Sequence, residues 1–179
     1  TAGGAGVAFA LVAVGFALAL AREAHSQTGG SVAAAELARP PDVDRWITVG
    51  VTVRLDRQDH TTPRQMRQVL MAPDAYEDFV RTRRYADGTA FAVNFYALAH
   101  NTSHTPPLYH AADAEAFAME VIDRAHPDGR RFYTFAPGET RAAPLPAGNA
   151  CAACHNAQGS FDGTFAHMYP ALARYTTDD

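Results

Sequence analysis

The sequence predicts an α+β fold, in which a large antiparallel sheet is interleaved with helices. Runs of β-branched and aromatic residues at 47–55, 89–99 and 131–136 have the composition of strands. Two stretches with helical periodicity, residues 73–82 and 111–124, stand among these runs. The strands are short and separated by turn signals, which favours antiparallel pairing.

Length and charge limit the class of protein. The chain has 179 residues, of which 47% are apolar, enough for one domain with a buried core. The formal net charge is −4 and no stripe of basic residues occurs, so we expect no nucleic-acid binding. All 15 basic residues are Arg, and the sequence contains no Lys.

An apolar run near the start indicates export. Residues 5–21 carry no charge, and Ala19-Leu20-Ala21 has the small-x-small form of a signal-peptidase site, with Ala24-His25-Ser26 as a second candidate. Residues 1–21 are therefore predicted to be a signal peptide and the domain to be periplasmic. An uncleaved membrane anchor is the alternative, since about 17 apolar residues is the lower limit for a spanning helix.

The next segment is rich in Ala, Pro and Gly. Residues 22–44 are interpreted as a linker or arm, ending shortly after Pro40-Pro41. The folded domain is placed at residues 45–179 and is expected to begin near Trp46.

The first half of the domain alternates strand and helix. Residues 47–55 (ITVGVTVRL) form the first predicted strand, and residues 68–71 form the second. Pro73 opens a short amphipathic helix that continues to Thr82. Asp87-Gly88 is a turn signal and predicts a hairpin that leads into the aromatic strand over residues 89–99.

The second half contains the helix predicted most clearly. Residues 100–107 are predicted to be a loop, and residues 111–124 (AADAEAFAMEVIDR) a helix that ends before Pro127-Asp128-Gly129. Residues 131–136 (RFYTFA) form the last predicted strand.

The cysteines stand in one motif, Cys151-Ala152-Ala153-Cys154-His155. At this spacing two thiols can reach the two vinyl groups of a haem while the adjacent imidazole turns onto the iron. A thioredoxin-like dithiol and half of a zinc site are the alternatives. Zinc would require two more ligands nearby, and a redox dithiol usually opens a helix within a βαβ unit. We therefore expect one haem c, bound covalently through Cys151 and Cys154, with His155 as the iron ligand and the sheet around it.

The second axial position is expected to be open or filled by water. Small electron-transfer cytochromes place this motif early in the chain and supply an axial Met many residues later. Here His167 and Met168 follow His155 by only 12 and 13 residues, and Tyr169-Pro170 suggests a packed turn. Met168 is therefore predicted to be a core residue.

Four segments resemble the cytochrome P-460 family and its relatives, the β-sheet cytochromes c-prime. They are Arg45–Gly50 (RWITVG), Tyr85–Thr89 (YADGT), Phe132–Phe135 (FYTF) and Phe165–Leu172 (FAHMYPAL), within a resemblance that covers residues 45–175. The resemblance implies a large antiparallel sheet with helices and a five-coordinate haem c on His155. It also implies binding or oxidation of small nitrogen compounds on the other side of the haem.

One departure from the family pattern concerns a lysine. Members that oxidise hydroxylamine resemble one another in a Lys that is cross-linked to the haem, a few residues after the Asp-Gly-Thr turn. In this chain that position falls on Val93. The chain is therefore more similar to the non-cross-linked cytochromes c-prime, whose implied role is to bind or handle nitric oxide. We expect a small diatomic or nitrogenous ligand, and keep open an exported electron-transfer partner and a homodimer.

Strand alternation predicts the wall of the ligand pocket. If Val93 faces the haem, so do Phe91 and Phe95, while the residues between them face away. Such a wall supplies no general base and favours small uncharged ligands. The alternative is that all three are ordinary sheet core.

Three functions remain open: a binder of nitric oxide or a similar gas, an oxidoreductase acting on hydroxylamine or nitric oxide, and a plain electron carrier. A four-helix cytochrome c-prime is the structural alternative, and the strand-like runs argue against it. Four arginines are candidate partners of the haem propionates: Arg45, Arg64, Arg67 and Arg131. Five histidines are predicted mostly at the surface: His60, His100, His104, His110 and His126.

Overall fold

A computed structural model describes residues 35–176. The predicted signal segment, residues 1–21, and the first part of the predicted arm lie outside the described residues. The strands are β1 (Leu37–Ala38), β2 (Ile47–Leu55), β3 (Pro63–Met71), β4 (Ala90–Asn101), β5 (Leu108–Ile122), β6 (Arg130–Phe135) and β7 (Arg141–Ala142). The helices are α1 (Pro73–Thr82), α2 (Ala150–Gln158) and α3 (Pro170–Ala173), with 3-10 turns at Val43–Arg45 and Ala166–Met168. No helix within residues 35–176 has the length and apolar character needed to cross a membrane.

The main sheet has five strands in the order β2-β3-β4-β5-β6, and every neighbouring pair is antiparallel. A second, two-stranded sheet pairs β1 with β7. The predicted α+β fold with a large antiparallel sheet is confirmed. Because strands that are consecutive in the sequence are neighbours in the sheet, each strand is hydrogen-bonded to one or two adjacent strands. Other parts of the chain then have to cover the two faces of the sheet.

The predicted helix over residues 111–124 is wrong, because β5 occupies most of this stretch. Its Ala and Glu residues have high helix propensity, but pairing with β4 and β6 overrides that preference. The strand period is visible in the burial of its second half. Phe117 and Met119 are buried on one face of the sheet, whereas Glu120 and Ile122 are buried on the other face. Ile122 belongs to the opposite core.

Several boundaries differ from the predicted ones. The second strand is Pro63–Met71, longer than predicted. The turn at Asp87-Gly88 connects α1 to β4 and forms no hairpin, because a helix separates the paired strands β3 and β4. The hairpin lies at residues 102–107, between β4 and β5. The helix Pro73–Thr82 is confirmed at both ends.

Each face of the main sheet carries its own buried core. The first core joins the sheet to α1 and to residues 159–176, which follow α2 and are called the C-terminal segment here. This core contains Val49, Val69, Met71, Phe79, Tyr85, Phe91, Ile122, Ala166, Tyr169 and Leu172. The second core contains Val43, Leu70, Ala92, Phe117, Met119, Tyr133, Phe135 and Ala142. Within the predicted arm, β1 pairs with β7 and Val43 is buried in this second core.

A glycine on β2 sets how closely the C-terminal segment approaches the sheet. The ring of Tyr169 lies over Gly50, at the place where a Cβ atom on residue 50 would stand. Tyr169 is buried, as is Leu172 beyond it. The segment that follows α2 therefore packs directly on the first face of the sheet, beside the cavity described next.

Candidate haem-binding site

Helix α2 presents the predicted haem ligands on one side. Its N-cap is Asn149, whose Oδ1 accepts hydrogen bonds from the backbone N–H groups of Cys151 at 2.9 Å and Ala152 at 3.2 Å. The cap fixes the start of the helix just before the motif. Residues three and four positions apart lie on the same side of a helix, so Cys151, Cys154 and His155 share one side.

A cavity of about 560 Å³ lies beside these three side chains. This volume is within the usual range of cofactor sites. All six residues predicted to bind the cofactor line it: Cys151, Cys154, His155, Phe91, Val93 and Phe95. Other lining residues come from β2, the turn between β2 and β3, β3, β5, β6 and the C-terminal segment, among them Thr52, Arg57, Arg67, Val69, Glu120, Phe132, Thr164, Phe165 and Met168. The structure thus brings the predicted residues together, while their contact with a haem stays a prediction.

The aromatic strand β4 forms one wall of this cavity. Phe91, Val93 and Phe95 line the cavity, and Ala92 between them belongs to the second core. Phe91 is also a core residue: it is buried and its ring packs edge-on against Tyr85, with centroids 5.3 Å apart. Val93 and Phe95 are only half-buried. Phe91 is therefore both a cavity-lining residue and a core residue. Val93 lines the cavity and packs against the edge of the first core, and Phe95 belongs to the cavity wall alone.

The imidazole of His155 is held in a defined orientation. Its ring packs edge-on against Phe132 and Phe165, with centroids 4.9 and 4.7 Å away. Nδ1 lies 3.0 Å from the carbonyl oxygen of Gly163. A carbonyl only accepts, so Nδ1 carries the proton and donates it, which leaves the lone pair of a neutral ring on Nε2.

The protonation state of His155 suits a metal ligand. Burial lowers its pKa to about 4; the hydrogen bond to Gly163 opposes this shift, and the nearby charge of Arg130 adds to it. The ring is therefore neutral at pH 7, as an iron ligand must be.

The two cysteines are free thiols. Cys151 is half-buried and Cys154 is exposed. Burial foremost, and then the neighbouring Cys154, raises the pKa of Cys151. Among residues 35–176, no group of three or more His, Cys, Asp or Glu side chains is arranged to hold a metal ion.

One of the four candidate propionate partners lines the cavity. Arg67 is half-buried and its guanidinium lies over the ring of Phe95, with the carbon 5.4 Å from the centroid. Arg57, which sequence reasoning missed, also lines the cavity. Arg131 instead pairs with Asp123 at 2.6 Å. Arg45 and Arg64 are exposed and are not among the lining residues.

The prediction that Met168 is a core residue is wrong. Its side chain is 47% exposed, and it lines the cavity. The 3-10 turn at Ala166–Met168 directs Ala166 and Tyr169 inward, which leaves the two residues between them outside. His167 is exposed and hydrogen-bonds to Ser160.

A buried ion pair next to His155 was not found from the sequence. Glu120 and Arg130 are 7% and 5% exposed and pair with each other, and Glu120 Oε2 lies 3.5 Å from His155 Nδ1. A helix over residues 111–124 would expose its acidic residues, Glu120 among them, to solvent. Alternation of Phe117, Met119 and Val121 with Glu120 was the available signal, because it puts Glu120 on the cavity side of a strand.

The donor set and the cavity fit a haem. Two thiols and a neutral imidazole share one side of a helix, and an apolar wall and a half-buried Arg67 face the same space. Cys151 and Cys154 would hold the haem by thioether bonds and His155 through Nε2.

Comparison with known proteins agrees with this site. The family model for cytochrome P460 matches residues 40–166, which include the motif and all five strands of the main sheet. Comparison with individually curated proteins gives no match. Because the family model covers well over half of the sequence, the chain belongs to the cytochrome P460 family, whose cofactor is haem.

Proposed function

We propose that this protein is an exported c-type cytochrome with one covalent haem, which binds nitric oxide or a related small nitrogen compound at a five-coordinate iron. The observation that carries the proposal is the composition of the cavity. It places a neutral His155 and the two cysteines in the same space as an apolar row. That row includes Val93, the position at which the resemblance to the family implies a cross-linking Lys.

Each residue has a defined task in this proposal. When bound, the haem supplies an iron with one vacant coordination position. Cys151 and Cys154 tether the group, and His155 ligates it while donating Nδ1–H to Gly163. Phe95 and Val93 present only carbon to the cavity, which favours an uncharged diatomic over an anion.

Oxidation of hydroxylamine is the second interpretation and is disfavoured by the same wall. That reaction releases protons, and no member of the row Phe91, Val93 and Phe95 can accept one. Glu120 lines the cavity, but it is paired with Arg130 beside His155. Val93 cannot form a covalent bond to the haem, since its side chain is aliphatic.

A plain electron carrier is the third interpretation, and one observation favours keeping it. The thioether of Met168 lines the cavity on the segment that follows α2. If this sulfur were the second axial ligand, replacing Met168 with Leu would change the spin state of the iron. We expect Met168→Leu to leave the absorption spectrum unchanged.

The proposal is tested with the haem-loaded protein. Acid-acetone extraction should leave the haem on the polypeptide, and a Cys151→Ser, Cys154→Ser double variant should release it. Titration of the ferrous protein with nitric oxide should change the absorbance up to one equivalent per haem. Hydroxylamine with an artificial electron acceptor should give little turnover. Rapid oxidation of hydroxylamine, or ferrous haem that ignores nitric oxide, would contradict the proposal.

Export and partners are part of the same proposal. The apolar run at residues 5–21 supports a periplasmic location, and a gas-binding haem that is reoxidised or reduced needs an exported electron partner. Fractionation of cells expressing the full sequence tests the location. Light scattering of the haem-loaded protein distinguishes a monomer from a homodimer.

A further inference from the structure

We propose that the buried pair Glu120 and Arg130 positions the iron ligand His155, and that the two charges act on the iron in opposite directions. This inference rests on the proposed function, because it requires a haem ligated by His155. Glu120 and Arg130 are therefore positioning residues.

The pair is built into the sheet beside the cavity. Glu120 is on β5 opposite Phe132 on β6, and Arg130 on β6 is opposite Ile122 on β5. These two rows are adjacent on one sheet face, and the carboxylate contacts the guanidinium through Nη1. Both side chains are more than nine-tenths buried, so the pair is little screened by solvent.

Arg130 also fixes the loop that contains the acceptor for His155. Its Nη1 donates to the carbonyl of Gly163 at 3.0 Å, and its Nη2 donates to the carbonyl of Asp162. Gly163 has a φ of +66°, and a Cβ atom on it would collide with the guanidinium. Glycine at 163 is therefore needed both for the backbone conformation and for the approach of Arg130.

The same carbonyl accepts a hydrogen bond from the imidazole. Gly163 O accepts hydrogen bonds from Arg130 Nη1 and from His155 Nδ1, each at 3.0 Å. Glu120 Oε2 lies 3.5 Å from that Nδ1, within reach if the carbonyl were displaced. The arrangement fixes the plane of the ring, because the ring nitrogen and the guanidinium donate to the same oxygen and Arg130 connects that loop to β6.

The signs of the two effects follow from charge. Arg130 draws electron density from the carbonyl that accepts from His155, which weakens that hydrogen bond and limits the negative character of the ring. The carboxylate of Glu120, when ionised, places a negative charge near Nδ1 and acts in the opposite direction. A more negative ligand favours ferric iron, so loss of Arg130 should lower the reduction potential and loss of Glu120 should raise it.

The experiment uses the haem-loaded protein and two readouts other than activity: the iron–histidine stretching frequency of the ferrous form and the reduction potential. The variants are Glu120→Gln, Arg130→Gln and Arg130→Lys. Arg124→Gln is the matched control, because Arg124 donates to the side chain of Asp162 at 2.9 Å in the same loop but makes no bond to Gly163.

We expect Glu120→Gln to raise the potential and Arg130→Gln to lower it, with the stretching frequency shifting in opposite directions in the two variants. Arg130→Lys keeps the charge and should show a smaller shift than Arg130→Gln. Arg124→Gln should match the unmodified protein. Since losing one charge of a buried pair can prevent folding, Arg130→Lys, which keeps both charges, is sufficient for the test if the two Gln variants do not fold.

Two results would overturn the inference. Folded Glu120→Gln and Arg130→Lys variants with the potential and the stretching frequency of the unmodified protein would show that the pair only stabilises the sheet. An unmodified protein without any iron–histidine band would instead overturn the proposed haem ligation, and this inference with it. The first result leaves the proposed function intact, so the two failures are distinguishable.

Discussion

Residues on one face of β4 differ in whether they only line the cavity or also pack in the core. Phe91 and Phe95 lie on the same strand face and line the same cavity, but Phe91 is 2% exposed and belongs to the first core, whereas Phe95 is half-buried. Phe91 also packs edge-on against Tyr85. The side chain that limits access to the cavity is therefore expected to be Phe95.

Replacing Phe95 with Ala should speed the association of nitric oxide with the ferrous protein, because the ring that narrows the cavity is removed. The expected cost in the free energy of unfolding is about 1 kcal/mol, the usual size for a partly exposed site. Stopped-flow absorbance gives the rate, and urea unfolding gives the free energy. Tyr96→Ala, on the opposite face of β4, is the control and should leave the association rate unchanged.

Replacing Phe91 with Ala should instead affect mainly the free energy of unfolding. Removing a fully buried ring leaves a cavity in the first core and should lower the free energy of unfolding by about 3 kcal/mol or more. If Phe91→Ala unfolds no more readily than Phe95→Ala, the division of β4 into core and wall is wrong.

The residues of the site differ in how visible they are in the sequence. Cys151, Cys154 and His155 are predicted from spacing alone, because covalent attachment of a haem requires that separation. The row on β4 follows from strand alternation once one member is placed. Glu120 and Arg130 are not found, since their burial depends on β5 being a strand rather than a helix.

In β5, pairing with neighbouring strands overrides the local preference of the sequence for a helix. Its sequence is rich in helix formers, yet it is the longest strand and pairs with β4 and β6 along most of its length. The signal for a strand is confined to its last third, where large apolar residues alternate. Pairing partners distant in sequence decide the structure here, and no local window contains them.

Phe117→Ala tests the strand assignment through its cross-strand neighbour. Phe117 is opposite Phe135 on β6, with ring centroids 5.1 Å apart, and both rings are buried in the second core. Truncation should lower the free energy of unfolding by about 3 kcal/mol. Ala114→Ser, at an exposed position of the same strand, should change it by less than about 0.5 kcal/mol. Equal effects at both positions in urea unfolding would contradict the packing described for β5.

The contact between β2 and the C-terminal segment leads to a second prediction about stability. Gly50→Ala places a methyl group where the ring of Tyr169 lies. The ring has to move, so we expect a loss of about 1–3 kcal/mol in the free energy of unfolding. Val51→Ala, at a half-exposed position on the same strand, is the control with a smaller loss. Thermal and urea unfolding would settle the point, and a variant as stable as the unmodified protein would show that Tyr169 does not pack on Gly50.

In the molecule as a whole, the two faces of one sheet serve different purposes. One face packs against the segment that contains β1 and Val43. The other packs against α1 and the C-terminal segment and leaves the cavity beside α2. The sequence predicts the sheet, the motif and the family pattern, because each is written in local spacing. It does not predict how the second face of the sheet is covered, or that Glu120 and Arg130 pair beside His155. Both depend on contacts between segments that are distant in sequence.

We propose one covalent haem that is ligated by His155 and has an open second axial position. Absorption spectra of the ferric and ferrous protein as isolated distinguish this state of the iron from a six-coordinate one. We expect a high-spin, five-coordinate ferrous spectrum that disappears in His155→Ala. A low-spin, six-coordinate ferrous spectrum, or an unchanged spectrum in His155→Ala, would contradict it.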